Sequence, residues 1–139
     1  MDCALCSILT SEHYRVVTTT PLSFVCINIE PLSPSHIMIL PRRHVCSLSE
    51  LSPEEAHDIL TTVHTVLTHL PAQFNTKGAL TIMNHGSHKT QEHLHFHLLA
   101  TDGALRDVMA PYLCAPYRKQ LSAEELEQLA KNIQFLQTR

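Results

Sequence analysis

The most constraining stretch of the sequence is a row of three histidines that alternate with apolar residues, His93-Leu94-His95-Phe96-His97-Leu98-Leu99. Successive side chains of a β-strand point to opposite faces, so this alternation predicts a strand over 91–101 with its three imidazoles on one face. The apolar residues then face the other side and pack against a core. The row therefore predicts a sheet with one buried face and one face equipped for chemistry.

The rest of the sequence is typical of one small domain. The chain has 139 residues, of which 44% are hydrophobic and 17% charged, so we expect a single domain over 1–139. The net charge of -3 argues against DNA or RNA as a partner, because binding to their backbone needs clustered Lys and Arg. No apolar run approaches the roughly 20 residues of a membrane span, and the first residues do not resemble a signal peptide. We therefore expect a cytoplasmic chain without a membrane or nucleic-acid partner.

Local patterns predict an α+β fold. Two segments with helical apolar spacing begin at capping sequences, Ser52-Pro53-Glu54-Glu55 and Ser122-Ala123-Glu124-Glu125. Pro71 is expected to end the first helix, and the segment 102–121 is predicted to be irregular. Runs rich in β-branched and aromatic residues predict strands over 14–19, 22–29, 37–40, 79–84 and 91–101. The sum is an antiparallel sheet of about five strands with two helices, the second in a C-terminal segment over about 122–137.

A row of imidazoles suits phosphate chemistry. A neutral imidazole is nucleophilic near pH 7, and a protonated one donates hydrogen bonds to phosphoryl oxygens. His97 lies about 6.6 Å beyond His95 by the standard strand rise, so the two rings can reach different substrate oxygens. This arrangement favours phosphoryl or nucleotidyl transfer through a covalent intermediate. Six other histidines belong to no motif and are expected at the surface or on helix faces: His13, His57, His64, His69, His85 and His88.

Two motifs together resemble the histidine triad (HIT) superfamily. The row at 93–99 matches the family's three histidines separated by apolar residues. Pro34-Ser35-His36, followed by an apolar strand and Pro41-Arg42-Arg43-His44, resembles its second signature. The resemblance covers about residues 3–101. Ser35 stands where the family usually has Gly, and the loop over 84–92 is shorter than the family pattern and lacks its usual Gly-Gln.

The resemblance implies a role for each matching residue. His95 matches the nucleophile that attacks an α-phosphate, and His97 matches the residue that hydrogen-bonds a phosphate or leaving-group oxygen. His36 and His93 match supporting histidines. Asn28 falls where the family contacts the ribose hydroxyls. The other implied nucleotide-binding residues are Ile27 and Ile29 at the base, with Asn84, Thr90 and Gln91 in or next to the phosphate loop.

Similarity to bacterial members of the family also implies a metal site. In those members an N-terminal Cys-x-x-Cys combines with two histidines, which here gives Cys3, Cys6, His44 and His93. Two thiolates and two imidazoles form a closed tetrahedral set for zinc, which is typical of a structural site rather than a catalytic one. The alternative is that Cys3 and Cys6 are frayed terminal thiols.

The leading hypothesis is an enzyme: a nucleotide hydrolase or transferase that cleaves nucleotide-X at the α-phosphate. The resemblance implies adenine as the base. It also implies three substrate classes, namely phosphoramidates, dinucleoside polyphosphates and adenylylated amines. It also implies a homodimer that extends the sheet across the subunit interface. Because the loop over 84–92 is short, a nucleotide-binding regulatory module with little turnover is the alternative. A zinc-dependent hydrolase is a third possibility.

Overall fold

The elements of the fold follow the predicted α+β order. A computed structural model describes the chain over residues 3–85, 92–114 and 120–136, with side chains described up to 109 in the middle range. The described residues form five strands: β1 (Val16–Thr19), β2 (Ser23–Ile27), β3 (Ile37–Pro41), β4 (Gly78–Met83) and β5 (Phe96–Thr101). They also form four α-helices: α1 (Ile8–Ser11), α2 (Pro53–Gln73), α3 (Leu105–Cys114) and α4 (Ala123–Asn132). In these ranges, no helix has the length and apolar character needed to cross a membrane.

The five strands form one antiparallel sheet in the order β1-β2-β3-β5-β4. Met38 of β3 and Ile82 of β4 both lie opposite His97 of β5. Directly opposed residues of antiparallel strands share a face, so these three side chains lie side by side on the sheet. The predicted five-stranded antiparallel sheet is confirmed, and this register places His97 between two apolar neighbours.

One face of the sheet packs against α2 and α4. Helix α2 begins with the predicted capping box, in which the Ser52 hydroxyl accepts from the Glu55 N–H and the Glu55 carboxylate accepts from the Ser52 N–H. Its apolar stripe and that of α4 bury the sheet residues Val25, Ile27, Ile39 and Leu98, among others. The helix residues of this core are Ile59, Val63, Val66, Leu70, Leu126 and Ala130. The helical side of the sheet is therefore the main core.

The opposite face of the sheet is covered only in part. The N-terminal residues Leu5 and Ile8 pack there on Phe24, Met38 and Leu40 in a second, smaller core. This packing anchors the segment that carries the two N-terminal cysteines. His97 lies on the same face of the sheet, next to this smaller core.

Two predictions about the helices were wrong, namely the end of the first long helix and the irregular character of the segment 102–121. Pro71 lies inside α2, which continues to Gln73, because a proline removes only its own N–H and the Phe74 N–H still bonds the Leu70 carbonyl at 3.2 Å. Asn75 then reverses the chain with a φ of 55°, a left-handed conformation that Asn tolerates. The segment 102–121 was predicted to be irregular, but α3 occupies Leu105–Cys114, with the Asp107 carboxylate accepting from the Ala104 N–H at its start.

The prediction for the histidine row was wrong in its extent. Strand β5 begins at Phe96, so only His97 of the three histidines lies in a strand. His93 lies in a bend and His95 in an irregular segment before this strand, and the Leu94 N–H between them bonds the Val45 carbonyl at 2.8 Å. Because that bond goes to the loop after β3 rather than to a neighbouring strand, the three rings are distributed over two clusters.

Candidate active site and metal cluster

The first cluster brings together Cys3, Cys6, His44 and His93. One donor atom from each of these residues lies within 4.8 Å of the other three. The Cys6 Sγ is 3.2 Å from the Nδ1 atoms of both His44 and His93, and the Cys3 Sγ is 3.6 Å from His93 Nδ1. Tetrahedral zinc with ordinary bond lengths separates two such donors by about 3.3 to 3.8 Å, depending on whether they are nitrogen or sulfur. The residues therefore fit a zinc ion that all four of them would hold.

Hydrogen bonds orient the donors of this cluster. His93 Nε2 donates to the Pro41 carbonyl at 2.8 Å, which leaves the lone pair on Nδ1 and directs it at the thiols. Burial and the neighbouring His44 and His95 lower the pKa of His93, so the ring is held in the neutral form that binds a metal. The Cys6 N–H points at the Cys3 Sγ at 3.4 Å, which is a favourable partner for a thiolate. These contacts prepare the site for a cation.

The two thiols repel each other as anions when no cation lies between them. Desolvation and the adjacent Cys3 sulfur raise the pKa of Cys6 to about 11. A divalent cation reverses this effect by favouring both thiolates. The cluster is thus electrostatically unsatisfied by protein groups alone.

The loop that carries His44 is fixed by an ion pair. The Arg43 guanidinium makes two hydrogen bonds to the Glu55 carboxylate, at 2.9 and 2.8 Å, and a third to the Glu50 carbonyl. Glu55 is the residue that also caps α2, so this loop is tied to the start of the long helix. The Arg43 guanidinium and the Ser52 N–H lower the pKa of Glu55 to about 2. The sequence analysis did not assign this role to Arg43 or Glu55.

The second cluster is a hydrogen-bonded chain of rings on the partly covered face of the sheet. The Leu32 N–H donates to His36 Nδ1 at 3.0 Å, so the proton of the neutral His36 ring is on Nε2. That Nε2–H donates to His97 Nδ1 at 2.9 Å, which in turn places the proton of His97 on its Nε2. The rings of His97 and His95 then meet edge to face with their centroids 4.8 Å apart. The chain of hydrogen bonds therefore fixes the proton of His97 on Nε2, in a ring that contacts the ring of His95.

His95 is oriented in the opposite sense to His97. Its Nδ1–H donates to the His93 carbonyl at 2.8 Å, so the lone pair of the neutral ring is on Nε2. The side chain is largely buried, with 9% exposed. The two rings in contact therefore differ in their Nε2 atoms, with a lone pair on that of His95 and a proton on that of His97. Group transfer to an imidazole uses one group of each kind.

A cleft opens beside this pair. It holds about 470 Å³ of space, part of which is open to solvent, and it is lined by His36, His97 and Asn84 together with four apolar side chains, Leu32, Ile82, Leu99 and Met109. Of the nucleotide-binding residues that the resemblance implied, Asn84 therefore lies at the cleft. Thr90 and Gln91 lie outside the described residues.

Comparison with known proteins shows the family. The sequence model of the HIT domain matches residues 10–104, more than half of the chain. The chain belongs to the HIT domain family. Adenosine 5'-monophosphoramidase of Schizosaccharomyces pombe is 31% identical over 103 residues, which cover 71% of this chain and 74% of that protein.

A second HIT relative is longer. Bifunctional bis(5'-adenosyl)-triphosphatase/adenylylsulfatase of Arabidopsis thaliana is 31% identical over 91 residues, which cover 64% of this chain and 51% of that protein. The match thus spans about half the length of the Arabidopsis protein. Both relatives are named as hydrolases of adenine nucleotides.

A solved HIT structure shares the fold over the whole chain. The zinc-bound histidine triad family protein of Mycobacterium smegmatis superposes with a TM-score of 0.72 at 16% identity, and the match covers 100% of this chain and 99% of that one. At this identity the likeness shows the fold alone. That fold is the five-stranded antiparallel sheet described above.

The HIT chain departs from its family's pattern at Ser35, and the structure shows what the serine does. Ser35 is buried, and its hydroxyl accepts from the Ala100 N–H at 2.9 Å and lies 2.8 Å from the Ser33 hydroxyl. Backbone pairing of β3 with β5 ends at Ile37 and Leu98, so the Ser35 side chain adds one more hydrogen bond between the segments that continue these two strands. A glycine has no side chain with which to make it.

The structure separates the residues that the resemblance placed around the base. Asn28 lies beside the histidine chain, where its N–H donates to the His36 carbonyl at 3.3 Å. Its side-chain amide lies 3.4 Å from the Met38 sulfur. The structure does not bring Ile27 to the site, because alternation along β2 turns this fully buried side chain into the core under α2. Ile29 packs against the same core.

The remaining histidines behave as expected where they are described. His13, His57, His64, His69 and His85 are exposed, and His88 lies outside the described residues. The sequence also did not indicate the hydrogen bonds of Ser35 or the positions of Leu32 and Met109 at the cleft. Each acts through a contact with a segment distant in sequence, and no local pattern signals such a contact.

Proposed function

We propose that this HIT protein is a nucleotide hydrolase or nucleotidyltransferase that acts at the α-phosphate of an adenosine nucleotide joined to a leaving group X. The observation that carries the proposal is the opposite orientation of the two adjacent rings. His95 has its lone pair on Nε2, and His97 carries a proton on Nε2. A displacement at phosphorus needs one group of each kind.

The proposed first step forms a covalent bond to His95. Its Nε2 attacks the α-phosphorus, the bond from phosphorus to X breaks, and X departs with the proton of His97 Nε2. His36 supports this proton transfer, because its Nε2–H bonds the other nitrogen of the His97 ring. In the second step, water attacks phosphorus, the bond from phosphorus to His95 breaks, AMP leaves, and one proton of the water returns to His97.

The proposed role of zinc is structural. Cys3, Cys6, His44 and His93 would hold the zinc with four protein donors, the number that structural sites use, so that none of its positions would remain for water or substrate. Zinc bound there would neutralise the two thiolates and hold His93. The carbonyl of His93 accepts from His95 Nδ1, so fixing this residue also fixes the tautomer of His95.

We further propose a homodimer that acts in the cytoplasm, with a small adenine nucleotide as its partner molecule. β4 is an edge strand of the sheet, as a sheet continuing across a subunit interface requires. Within the described residues, Cys3, Cys6, Cys26 and Cys46 form no disulfide bond, which suits a reducing compartment.

The test is AMP release from adenosine 5'-phosphoramidate by the wild type, by His95→Asn and by His57→Asn as a control at an exposed histidine. We expect His95→Asn to lose roughly a thousandfold or more of kcat, because the attacking nitrogen is gone, and the control to match the wild type. Rapid quenching of the wild type should trap an adenylylated chain that the variant does not form. AMP binding by the wild type without turnover would instead identify a nucleotide-binding module.

A further inference from the structure

We propose that Cys3 and Cys6 form a redox switch, in which hydrogen peroxide joins their two sulfurs in a disulfide and the metal cluster thereby releases its zinc. The observation that carries this inference is that the two thiols lie within one turn of the chain and supply half of the four donors of the cluster. The inference rests on the proposed structural zinc and goes beyond the proposed reaction at phosphorus.

The turn that carries the two cysteines holds them at the spacing of a disulfide. The Ser7 N–H bonds the Cys3 carbonyl at 3.3 Å, which closes one helix-like turn around Cys6. Residues three apart in such a turn have Cα atoms about 5 Å apart, within the range of about 4.4 to 6.8 Å that disulfides use. The two sulfurs lie within 4.8 Å of each other. Rotation of the two side chains can therefore bring the sulfurs into bonding distance without a change of the backbone.

The surroundings of each thiol assign the order of attack. Cys6 is exposed and Cys3 is half-buried, so peroxide reaches the Cys6 sulfur first. The sulfurs of Cys6 and Cys46 contact different nitrogens of the His44 ring, at 3.2 and 3.9 Å, so the imidazole separates them. Cys26 is fully buried. Of the described cysteines, Cys3 is therefore the partner that the structure offers to an oxidised Cys6.

The oxidation consumes one hydrogen peroxide and two protons. In the loaded cluster both sulfurs are thiolates, because a bound cation favours that form. The Cys6 thiolate attacks one peroxide oxygen, the O–O bond breaks, and the departing hydroxide takes a proton to become water. The Cys3 thiolate then attacks the sulfur of the Cys6 sulfenic acid, the S–O bond breaks, and the second hydroxide also becomes water. The two sulfurs are oxidised, the two oxygens are reduced, and a dithiol reverses the change by exchange.

The disulfide removes two of the four donors of the cluster at once. His44 and His93 remain, and two imidazoles are too few for a structural zinc site, which uses four protein donors. The disulfide also stays within one turn, so it does not replace the contacts that join the N-terminal segment to these histidines. Because the His93 carbonyl accepts from His95 Nδ1, the loss of zinc changes the support of the ring chain.

The experiment treats the zinc-loaded chain with hydrogen peroxide and follows the released zinc with a colorimetric chelator. We expect the zinc content to fall from about one per chain to near zero. Two of the five cysteines should lose their reaction with a thiol reagent in denaturant. The tryptic peptide 1–15, which contains both Cys3 and Cys6, should become about 2 Da lighter. Dithiothreitol with added zinc should restore the thiols and the zinc content.

Two variants test the pairing of the sulfurs. Cys3→His keeps a metal-binding side chain at position 3 and removes the thiol that closes the disulfide, so peroxide should release its zinc about tenfold more slowly than from the wild type. Cys46→Ser is the matched control, because Cys46 is not one of the four donors, and it should lose zinc at the wild-type rate.

The outcomes separate the switch from the proposals on which it rests. A wild type that kept its zinc in peroxide, or that lost zinc with peptide 1–15 unchanged in mass, would overturn the switch and leave the structural zinc intact. Equal rates of zinc release from the wild type and Cys3→His, or protection by Cys46→Ser, would overturn the pairing of Cys3 with Cys6. A wild type that bound no zinc would overturn the structural zinc together with the switch. The peptide mass of the wild type decides the pairing even if Cys3→His binds no zinc.

Discussion

The three histidines at 93, 95 and 97 belong to two regions, the metal cluster and the hydrogen-bonded chain of rings. The two regions differ in the groups that contact the ring nitrogens. In the metal cluster, the Nδ1 atoms of His93 and His44 both contact the Cys6 thiol, His93 also contacts the Cys3 thiol, and the four donor atoms lie within 4.8 Å of one another. In the ring chain, His95 and His97 hold their protons on opposite nitrogens beside an open cleft. Convergent donors favour a closed ion site, and alternating donors and acceptors favour proton transfer.

A single residue joins the two regions. The His93 ring belongs to the metal cluster and its carbonyl accepts the proton of His95 Nδ1. A change in the metal cluster should therefore affect both stability and chemistry, whereas a change confined to the ring chain should affect chemistry first.

The largest effect is expected from Cys6→Ser. This change removes the sulfur that lies 3.2 Å from both histidine donors, so we expect the zinc content to fall from about one per chain to near zero. The N-terminal segment then loses its anchor. Losing roughly 3 kcal/mol lowers the midpoint of thermal unfolding by about 10 °C in a domain of this size. Metal analysis and calorimetry measure the two effects.

The matched control for Cys6→Ser is Cys46→Ser, at a half-buried thiol that is not one of the four donors. It should retain zinc and unfold within a few degrees of the wild type. The coupling through His93 also predicts that Cys6→Ser has a lower kcat at temperatures where it is fully folded. A folded, zinc-free variant with unchanged kcat would show that the two regions are independent.

The resemblance to bacterial HIT proteins implied the four residues of the metal cluster, and the structure brings these residues together. Thiols and imidazoles are side chains that bind zinc, so a motif can identify such a cluster, whereas no motif identified the cleft. The strands and α2 were likewise predictable, since alternation, helical spacing and caps are local signals. The place where β5 starts was not, because the competing bond from Leu94 to Val45 is a contact between distant segments.

The cleft and the role of Ser35 could not be read from any local pattern. Met109 reaches the site only because α3 forms in a segment without a clear helical signal and is then anchored at Asp102. Ser35 looked like a departure from a glycine pattern, yet its hydroxyl bonds a strand 65 residues away in sequence. Such contacts form between segments that only the folded sheet brings together, so no local sequence pattern indicates which residues will meet.

An intermediate effect is expected from Ser35→Ala, which alters only the support of the ring chain. Removing the hydroxyl leaves the buried Ala100 N–H without this acceptor, which costs about 1 to 2 kcal/mol of unfolding free energy. Because Ser35 precedes His36, we expect kcat to fall roughly tenfold with little change in KM, and the pH profile of kcat to shift as the bond from His36 to His97 weakens.

Steady-state kinetics over a range of pH, with zinc content measured in parallel, check the Ser35 prediction. Ser49→Ala is the control, since Ser49 is exposed and its hydroxyl contacts only a neighbouring serine hydroxyl in the described contacts. A Ser35→Ala variant that lost zinc would contradict the separation of the two regions. An unchanged pH profile would mean that Ser35 contributes to stability alone.

The smallest effect is expected at Glu55, which supports the metal-cluster loop from outside. Its pKa is lowered from the ordinary value of 4.5 to about 2 by the Arg43 guanidinium and the Ser52 N–H. A carboxyl with a lowered pKa stabilises the folded state above pH 4.5, and this contribution is lost as the pH falls towards 2. Arg43 is more than half exposed, so solvent screens the pair and keeps the effect to a few degrees of unfolding midpoint.

Thermal unfolding of the wild type and of Glu55→Gln from pH 7 to pH 2 measures this contribution. The wild type should be the more stable chain at pH 7, and the two midpoints should approach each other below pH 4.5 as Glu55 takes up its proton. Glu127→Gln is the control, because Glu127 pairs with Lys131 in an exposed position on α4 and should give a smaller difference at every pH. If the difference in unfolding midpoint between the wild type and Glu55→Gln stayed constant down to pH 2, the effect of Glu55 would come from packing and not from its charge. The ion pair with Arg43 would then not hold the His44 loop, and the geometry of the metal cluster would depend on its four ligands alone.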